Sequence, residues 1–248
     1  MRFQTAGGLI VPAVAADQLR EVDRIAVEDF GLGILQMMEN AGRNLAQNTI
    51  DMLGGEPGPV TILAGGGGNG GGGLCCARHL HNRGYEVHLV LDRDAGAMRG
   101  AAGTQLQILQ ATGLGVTRPD MAVGADGAGD AINRARVVVD ALIGYSLRGA
   151  PRGRAAELIL ASNRHERVLS LDVPSGLDST TGEAPGAVVR PGRTLTLALP
   201  KTGLGEIPGD LYLADIGIPP EVYDRLGLSY RSPFPDAGYW IRLSRRRK

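Results

Sequence analysis

The segment Val60-Thr-Ile-Leu-Ala-Gly-Gly-Gly-Gly-Asn-Gly-Gly-Gly-Gly-Leu74 decides how the rest of the chain is interpreted. Its apolar start predicts a buried strand, eight glycines around Asn69 predict a turn, and the residues from Leu74 onward predict a helix. This arrangement directs free backbone N–H groups and the positive end of the helix dipole at one point, which suits a phosphate. No Lys-Ser/Thr pair follows the last glycine, so the segment is not a Walker A loop. A dinucleotide-binding Gly-x-Gly-x-x-Gly pattern can be fitted to so many glycines, and such a match alone is weak. The alternative to a phosphate-binding segment is a flexible turn that binds no ligand.

Apolar runs and helical patterns alternate along the rest of the chain. Most of the runs are continuously apolar, as expected for strands buried on both faces of a parallel sheet. The predicted strands are Val60–Leu63, Val87–Leu91, Val137–Asp140, Val168–Val173 and Thr194–Leu199. The predicted helices between them are Leu74–Arg83, Ala101–Thr112 and Ala155–Asn163. The alternation predicts an α/β fold with a doubly wound, mostly parallel sheet flanked by helices.

The chain is predicted to form a single domain over residues 1–248. Its 248 residues suit one large domain or two small ones, and no long linker or internal repeat divides them. Two helices, Ala16–Asp29 and Leu35–Leu53, occupy residues 16–53. The α/β core covers about residues 58–220, and residues 221–248 are a C-terminal extension.

Composition excludes several classes of function. Twenty-six basic residues balance 26 acidic ones and aromatic residues make up 4%, so no charged or stacking footprint for nucleic acid is present. Cys75 and Cys76 are adjacent, which rarely allows a disulfide, and they are interpreted as buried thiols in a reducing compartment. No apolar run reaches the ~18 residues of a membrane span. We therefore expect a cytoplasmic protein with no nucleic-acid and no membrane partner. The four histidines are interpreted as structural, because no set of metal-ligating residues at a typical spacing includes any of them. They are His79, His81, His88 and His165.

Polar side chains stand where the later strands are predicted to end. Asp140 closes one strand, and Asp172 and Ser175 lie in Leu171-Asp-Val-Pro-Ser-Gly-Leu-Asp178 at the end of the next. Ligands of open α/β sheets bind at the carboxyl ends of strands, where these oxygens could hold a cation, bind ribose hydroxyls or supply acid–base catalysis. Turn-capping hydrogen bonds are the structural alternative for all three. Lys201, just beyond the last strand, is either functional or an exposed loop lysine.

Taken in order, these segments resemble the NAD(P)H-hydrate epimerase family, the YjeF N-terminal domain, from about Val11 to Pro219. The matching motifs are Met38-Glu-Asn-Ala-Gly42, Gly73-Leu-Cys-Cys-Ala-Arg-His-Leu80, Asp140-Ala-Leu-Ile-Gly144, Asp172-Val-Pro-Ser-Gly-Leu-Asp178 and Pro200-Lys201. The family has a Rossmann-like fold, is usually dimeric, and interconverts the R and S epimers of hydrated NADH and NADPH in nicotinamide-cofactor repair. The resemblance implies the same isomerase activity here, together with a homodimer and a bound potassium ion.

The resemblance also implies a role for individual residues. Asn69, Asp140 and Ser175 would be the potassium ligands. Asp140 is also the predicted catalytic proton-transfer group, with Lys201 in reserve. The backbone N–H groups of the glycine segment and of the turn that follows Gly144 would bind the pyrophosphate, with Arg148 as a charged donor. The predicted substrate-binding residues are Gly68, Asn69, Gly70, Gly71, Gly72, Gly144, Tyr145, Ser146, Leu147, Arg148, Gly149, Ala150 and Asp172.

The glycine segment lacks two polar side chains of the family pattern. Members usually read Gly-Pro-Gly-Asn-Asn-Gly-Gly-Asp-Gly, whereas here Gly68 replaces an Asn and Gly72 replaces an Asp. The loss of an amide and a carboxylate favours the alternative of a non-catalytic nucleotide-binding or scaffold protein on the same fold. An ordinary dehydrogenase is disfavoured, because no acidic residue is found at the end of a second strand with Rossmann spacing.

Overall fold

The computed structural model describes residues 2–117, 127–234 and 238–246, which form one sheet of ten strands with helices on its faces. The strands are β1 (Arg2–Gln4), β2 (Ile10–Val11), β3 (Val60–Ala64), β4 (Val87–Leu91), β5 (Val116–Thr117), β6 (Val137–Ala141), β7 (Val168–Leu171), β8 (Arg193–Leu197), β9 (Asp210–Ala214) and β10 (Trp240–Arg246). The helices are α1 (Ala16–Arg24), α2 (Ile34–Leu53), α3 (Gly68–His81), α4 (Gly100–Ala111), α5 (Ala128–Arg134), α6 (Gly153–Ser162) and α7 (Pro220–Arg225). A π-helical turn, Ile25–Asp29, continues α1, and 3₁₀ turns cover Ala95–Ala97 and Thr202–Glu206.

The strand order confirms the predicted fold class. The sheet runs β2-β1-β10-β9-β8-β7-β6-β3-β4-β5, and all pairs from β9 to β5 are parallel. Its part β5-β4-β3-β6-β7-β8 has the order 3-2-1-4-5-6 of a doubly wound dinucleotide-binding sheet. The connections change direction between β3 and β6. A crevice therefore opens at this point, outside the carboxyl ends of the strands.

Continuous apolar runs form the centre of the sheet because both of its faces are covered. Every residue of β3 and β6 is buried. Helices α2, α3 and α4 pack on one face through residues such as Leu45, Leu74 and Leu106, and α5 and α6 cover the other through residues such as Ile132 and Leu158. Each such leucine or isoleucine contributes about 1.5–3 kcal/mol by leaving water.

Two predicted strands are too long at their carboxyl ends. β7 stops at Leu171 rather than Val173, because Asp172 has a φ of 68°, and β8 stops at Leu197 rather than Leu199, because Ala198 has a φ of 61°. A non-glycine residue in this left-handed region costs about 1–3 kcal/mol and is found mostly at functional sites. Apolar patterning could not reveal either departure, since Val173 continues the first run beyond Asp172, and Ala198 and Leu199 continue the second.

The glycine segment is helical over most of its length, which corrects the prediction of a loop ending at Leu74. Helix α3 begins at Gly68, and Gly70 to Gly73 are buried within it. A Cβ atom on Gly71 would lie 2.5 Å from Cε of Met38, and one on Gly73 would lie 2.6 Å from Cβ of Ala141. The glycines therefore let α3 pack closely against α2 and β6, a structural gain that the sequence analysis did not foresee.

Both chain ends join the sheet at the same edge, through elements that the sequence analysis did not predict. β10, from the C-terminal extension, pairs antiparallel with β9 and with β1, and β1 pairs with β2. The strands β9 and β10 and the short helices α5 and α7 were also missed. Their apolar periods are too short, or too mixed with charge, to stand out from loops.

Candidate functional site

A cavity of about 600 Å³ opens at the carboxyl edge of the sheet, where the strand order reverses. The turns after β3, β4, β6, β7 and β8 all contribute to its wall, together with α1, α2 and the start of α6. Its volume falls in the range of small-molecule and cofactor sites. Parallel strands bring residues far apart in sequence to this one edge, as the sequence analysis expected for Asn69, Gly144 and Asp172.

Three glycines of the turn after β3 have three different surroundings. A Cβ on Gly65 would overlap the carbonyl oxygen of Leu142, and a Cβ on Gly70 would overlap that of Gly65. A Cβ on Gly67, at the N-terminus of α3, would meet nothing within 4 Å, and Gly67 lines the cavity. A tight turn, an open approach for a ligand and close helix–strand packing are the roles of a dinucleotide-binding Gly-x-Gly-x-x-Gly. Gly65, Gly67 and Gly70 thus have the surroundings that this motif requires, in a register that the sequence left open.

Asp172 and Lys201 form a buried ion pair in the cavity wall. Nζ of Lys201 donates to Oδ1 of Asp172, to Oγ1 of Thr196 at 3.2 Å and to the carbonyl oxygen of Leu197 at 2.8 Å. The backbone N–H of Tyr145 donates to Oδ2 of Asp172 at 3.1 Å. Lys201 is fully buried and Asp172 is 4% exposed, and both line the cavity. The interpretation of Lys201 as an exposed loop lysine is therefore wrong.

Asp140 lies in a saturated hydrogen-bond network. Its Oδ1 accepts from Oγ of Ser175 at 2.5 Å and from the N–H of Leu142 at 3.3 Å. Its Oδ2 accepts from Oγ of Ser170 at 2.7 Å and from the N–H of Ser175 at 2.9 Å. Burial raises the pKa of the Asp140 carboxyl, and the hydrogen bonds from Ser175 oppose the shift. Asp140 is fully buried and lies outside the described lining of the cavity, whereas Leu142, two residues further on, is part of it. A catalytic role for Asp140 therefore stays a prediction.

The predicted potassium ligands meet around the turn that follows β6. Oγ of Ser175 accepts from the N–H of Ile143 at 2.8 Å, and the side chain of Asn69 lies against Gly144, with Oδ1 3.2 Å from the position of a Cβ there. The buried Nδ2 of Asn69 has no hydrogen-bond partner among the described residues. Amide, carboxylate and hydroxyl oxygens are the donors that a hard cation prefers. The oxygen types present therefore fit an alkali cation, which Asp140 and Ser175 would bind by exchanging hydrogen bonds within the protein for contacts to the ion.

A second acidic side chain, missed by the sequence analysis, also lines the cavity. Oη of Tyr145 donates to Oδ2 of Asp23 at 2.6 Å, and both residues line the cavity. Burial raises the pKa of Asp23, against the effect of the hydrogen bond from Tyr145, and it also raises the pKa of the phenol. Asp23 lies on an amphipathic helix, where charged residues ordinarily face solvent, so its pattern carries no signal of a site.

The cationic groups of the cavity differ from the one predicted. Gly144 to Ser146 line it, whereas Leu147 to Ala150, with Arg148, lie outside its described lining. Gly70 and Gly71 are buried in α3 and also lie outside that lining. Arg152 and Arg154 line it instead. Nη1 of Arg154 lies 3.5 Å from Oε2 of Glu157, while its buried Nε and Nη2 have no partner in the described part of the chain. Unsatisfied guanidinium donors in a cavity suit an anionic ligand.

The second strand of the doubly wound order does end in an acidic residue, contrary to the expectation above. Asp92 directly follows β4, lines the cavity and is 22 positions beyond Gly70. The dinucleotide-binding pattern places its acidic residue about 20 positions on. Four consecutive glycines on each side of Asn69 hid the point from which this spacing is counted.

His79 lies closer to other potential metal ligands than its sequence position indicated. Its Nε2 lies 2.8 Å from Oε1 of Glu39, and Sγ of Cys75 lies 3.3 Å from Oε2 of Glu39. Nη2 of Arg78 donates to both Glu39, at 2.5 Å, and Cys75, at 3.3 Å, so a guanidinium already occupies the place of a cation. Burial raises the pKa of the Cys75 thiol to about 12, which keeps it protonated. The cluster is thus a link between α2 and α3 rather than a metal centre.

Known proteins similar to this chain agree with the geometry. Residues 34–203 match the family described as YjeF-related protein N-terminus. The NAD(P)H-hydrate epimerase of Dehalogenimonas lykanthroporepellens is 48% identical over 98% of both chains, and that of Rhodopirellula baltica is 34% identical over 86% of this chain and 88% of its own. The bifunctional NAD(P)H-hydrate repair enzyme Nnr of Salinibacter ruber is 38% identical over 91% of this chain, which matches 44% of that enzyme.

The same fold is found in a solved structure. The crystal structure of the yeast protein ynu0 matches with a TM-score of 0.81 at 21% identity, covering 95% of this chain and 100% of the yeast chain. None of the helices in the described ranges is long and apolar enough to cross a membrane.

Proposed function

The chain belongs to the YjeF-related N-terminal family, and from this premise we propose that it is an NAD(P)H-hydrate epimerase, an isomerase that interconverts the R and S epimers of hydrated NADH and NADPH. One observation carries the proposal: a single cavity contains both a dinucleotide-type glycine turn and the buried Asp172–Lys201 pair. The first suits the pyrophosphate of a dinucleotide, and the second suits proton transfer at its reactive ring.

The reaction inverts one carbon, which carries the added hydroxyl beside the ring nitrogen. When the C–O bond breaks, the departing oxygen takes a proton and leaves as water, and the nitrogen lone pair stabilises the planar cation. Water then adds to the other face and gives up a proton. Asp172 supplies the proton acceptor and, once protonated, the donor, because it lines the cavity and its Oδ2 accepts a single hydrogen bond, from the N–H of Tyr145. Lys201 donates its protons within the protein and acts through its ion pair with Asp172. Asp140, which is fully buried and outside the described lining of the cavity, would position the turn of Ser175 through two hydrogen bonds.

The remaining polar groups bind and orient the dinucleotide. The N-terminus of α3 at Gly67 and the unsatisfied guanidinium of Arg154 face the pyrophosphate. Asn69, Asp140 and Ser175 would hold potassium, which would add positive charge next to the turn that binds the phosphates. A cytoplasmic homodimer completes the proposal, on the strength of the family resemblance.

A coupled assay tests the proposed activity. An S-specific dehydratase first exhausts the S epimer in a mixture of NADPH hydrates, this protein is then added, and the absorbance of restored NADPH is followed. We expect the residual R epimer to be converted faster than its spontaneous rate. A folded protein that gives no acceleration would instead support the alternative, a non-catalytic nucleotide-binding or scaffold protein.

Potassium dependence is expected if the three oxygen donors act together. Replacing potassium chloride with tetramethylammonium chloride at equal ionic strength should lower kcat/KM by about tenfold and lower Tm, because a cation that binds only the folded state stabilises it. Ser175→Ala should remove most of the difference between the two salts. Ser162→Ala is the matched control, since its buried hydroxyl bonds Ile159 within α6. Equal rates and equal Tm in both salts would argue against the cation site.

The two polar side chains that the glycine segment lacks should have different effects when they are restored. A Cβ on Gly68 meets nothing within 4 Å, so Gly68→Asn should leave the free energy of unfolding within about 0.5 kcal/mol. A Cβ on Gly72 would lie 2.7 Å from Cδ2 of Leu171, which is fully buried in the cavity wall. Gly72→Asp should therefore cost about 1–3 kcal/mol.

Urea unfolding of a double-mutant cycle checks this assignment. Adding Leu171→Ala should make Gly72→Asp less costly by about 1 kcal/mol, because the two side chains compete for one volume. Strictly additive effects would mean that Leu171 does not occupy the place of the family's aspartate.

A further inference from the structure

We propose that Asp92 and Arg93 bind the adenosine ribose of the substrate and set the preference between NADH hydrate and NADPH hydrate. The proposal rests on the proposed function, because it assigns one end of that substrate to one end of the cavity. NADPH differs from NADH by a phosphate on the 2′-hydroxyl of this ribose. The residues that contact the 2′ position therefore determine which hydrate binds better.

Asp92 has the position in the fold at which dinucleotide-binding sheets read the ribose. It directly follows β4, its N–H donates to the carbonyl oxygen of Ala64 in β3 at 3.1 Å, and it lies in the same cavity as Gly67. In doubly wound sheets an acidic residue at this strand end accepts hydrogen bonds from the ribose 2′-hydroxyl. Its side chain is 7% exposed and belongs to the cavity wall rather than to the outer surface.

Arg93 forms a bidentate pair with Asp92 that leaves both residues able to bind. Nε donates to Oδ1 at 2.7 Å and Nη2 donates to Oδ2 at 2.9 Å, so Nη1 lies outside the contact. Each carboxylate oxygen keeps a further lone pair for a ribose hydroxyl. The guanidinium also lies over the glycine turn, where a Cβ on Gly66 would be 2.5 Å from its Cζ. Nη1 is thus a donor for a 2′-phosphate next to the turn that faces the pyrophosphate.

This assignment orients the whole substrate. Across the carboxyl edge of the sheet stand Asp92 after β4, Gly67 after β3 and Asp172 after β7, and all three line the cavity. Strands β4 and β7 are three interstrand steps apart, about 14 Å. The two halves of a dinucleotide bind on opposite sides of the switch point, so adenosine at Asp92 directs the hydrated ring to Asp172 and Lys201.

Opposite changes in selectivity are expected from the two residues. The carboxylate of Asp92 accepts from the 2′-hydroxyl and repels a 2′-phosphate, so Asp92→Asn should shift the ratio of dissociation constants toward the phosphorylated ligand by about tenfold. Arg93→Leu should shift it about tenfold the other way. Asp94→Asn is the matched control, because Asp94 is exposed and lies outside the described lining of the cavity.

Calorimetric titration with ADP-ribose and with its 2′-phosphate measures the ratio without any need for catalysis. Opposite shifts in the two variants, with an unchanged ratio for Asp94→Asn, are the expected result. Ratios within about twofold of the unmodified protein in both variants would overturn the assignment, as would a failure of both ligands to bind. The coupled epimerase assay on the same unmodified sample separates the two failures. If the protein is active but the ratio of dissociation constants does not change in either variant, the ribose site is wrong. If the ratios shift but the protein is inactive, the proposed epimerase activity is wrong.

Discussion

Replacing Lys201 with methionine is expected to abolish epimerase activity and to lower the free energy of unfolding by about 3–5 kcal/mol. The ammonium group is fully buried, and its donors satisfy Asp172, Thr196 and the carbonyl group of Leu197. Methionine fills a similar volume without any donor. The carboxylate of Asp172 is then left almost without solvent and without its counter-charge, which is costlier than the loss of one hydrogen bond.

A second variant separates the structural from the catalytic part of this loss. In Asp172→Asn/Lys201→Met the buried charge is gone, and asparagine tolerates the left-handed backbone that Asp172 adopts. We expect the double variant to recover most of the unfolding free energy in urea titrations but none of the coupled-assay rate. A Lys201→Met protein that retains the rate of the unmodified protein would remove Lys201 from the mechanism, whatever its stability.

The choice of lysine at this position is itself informative. Lys201 and Lys248 are the two lysines among 26 basic residues, and the rest are arginine. Lysine has a compact ammonium that can approach a single carboxylate oxygen, whereas the planar guanidinium needs more space and holds its protons permanently. A chain that uses arginine almost everywhere thus has, beside this buried aspartate, a compact point charge that a guanidinium would not provide.

Sequence patterns predicted the sheet well because apolar runs and burial on both faces have the same cause. The run Val87–Leu91 coincides with β4. Asp140 lies near the end of β6, Asp172 follows β7 and Asn69 lies beyond β3, and the parallel order brings these strand ends to one edge. The fold class and the family follow from these segments without any knowledge of contacts.

The parts of the site that escaped prediction depend on contacts between distant segments. Asp23 lies in the cavity wall beside Tyr145, which is 122 positions away in sequence and donates to it. Arg154 faces the cavity because α6 begins beside it, whereas Arg148, closer to the motif, does not. Asp92 was overlooked because the functional glycines could not be told from their neighbours until their surroundings were known.

Those surroundings predict that alanine at two glycines of one turn will have opposite consequences. Gly70→Ala should cost about 3 kcal/mol or more, because its Cβ would overlap backbone atoms of Gly65, which cannot rotate aside as a side chain could. Gly67→Ala should change the unfolding free energy by less than about 1 kcal/mol, since its φ of −100° suits any residue and nothing lies within 4 Å.

In the fraction of each variant that folds, the effect on ligand affinity should be larger for Gly67→Ala than for Gly70→Ala, the reverse of the effects on stability. The open side of Gly67 is where a pyrophosphate would approach the N-terminus of α3, so a methyl group there should weaken ADP-ribose binding by about tenfold. Urea unfolding and calorimetric titration of both variants provide the comparison. A Gly67→Ala protein that binds ADP-ribose normally would show that the phosphates lie elsewhere in the cavity. A Gly70→Ala protein as stable as the unmodified chain would show that the turn can relax, and the glycines would then have to be explained by the ligand alone.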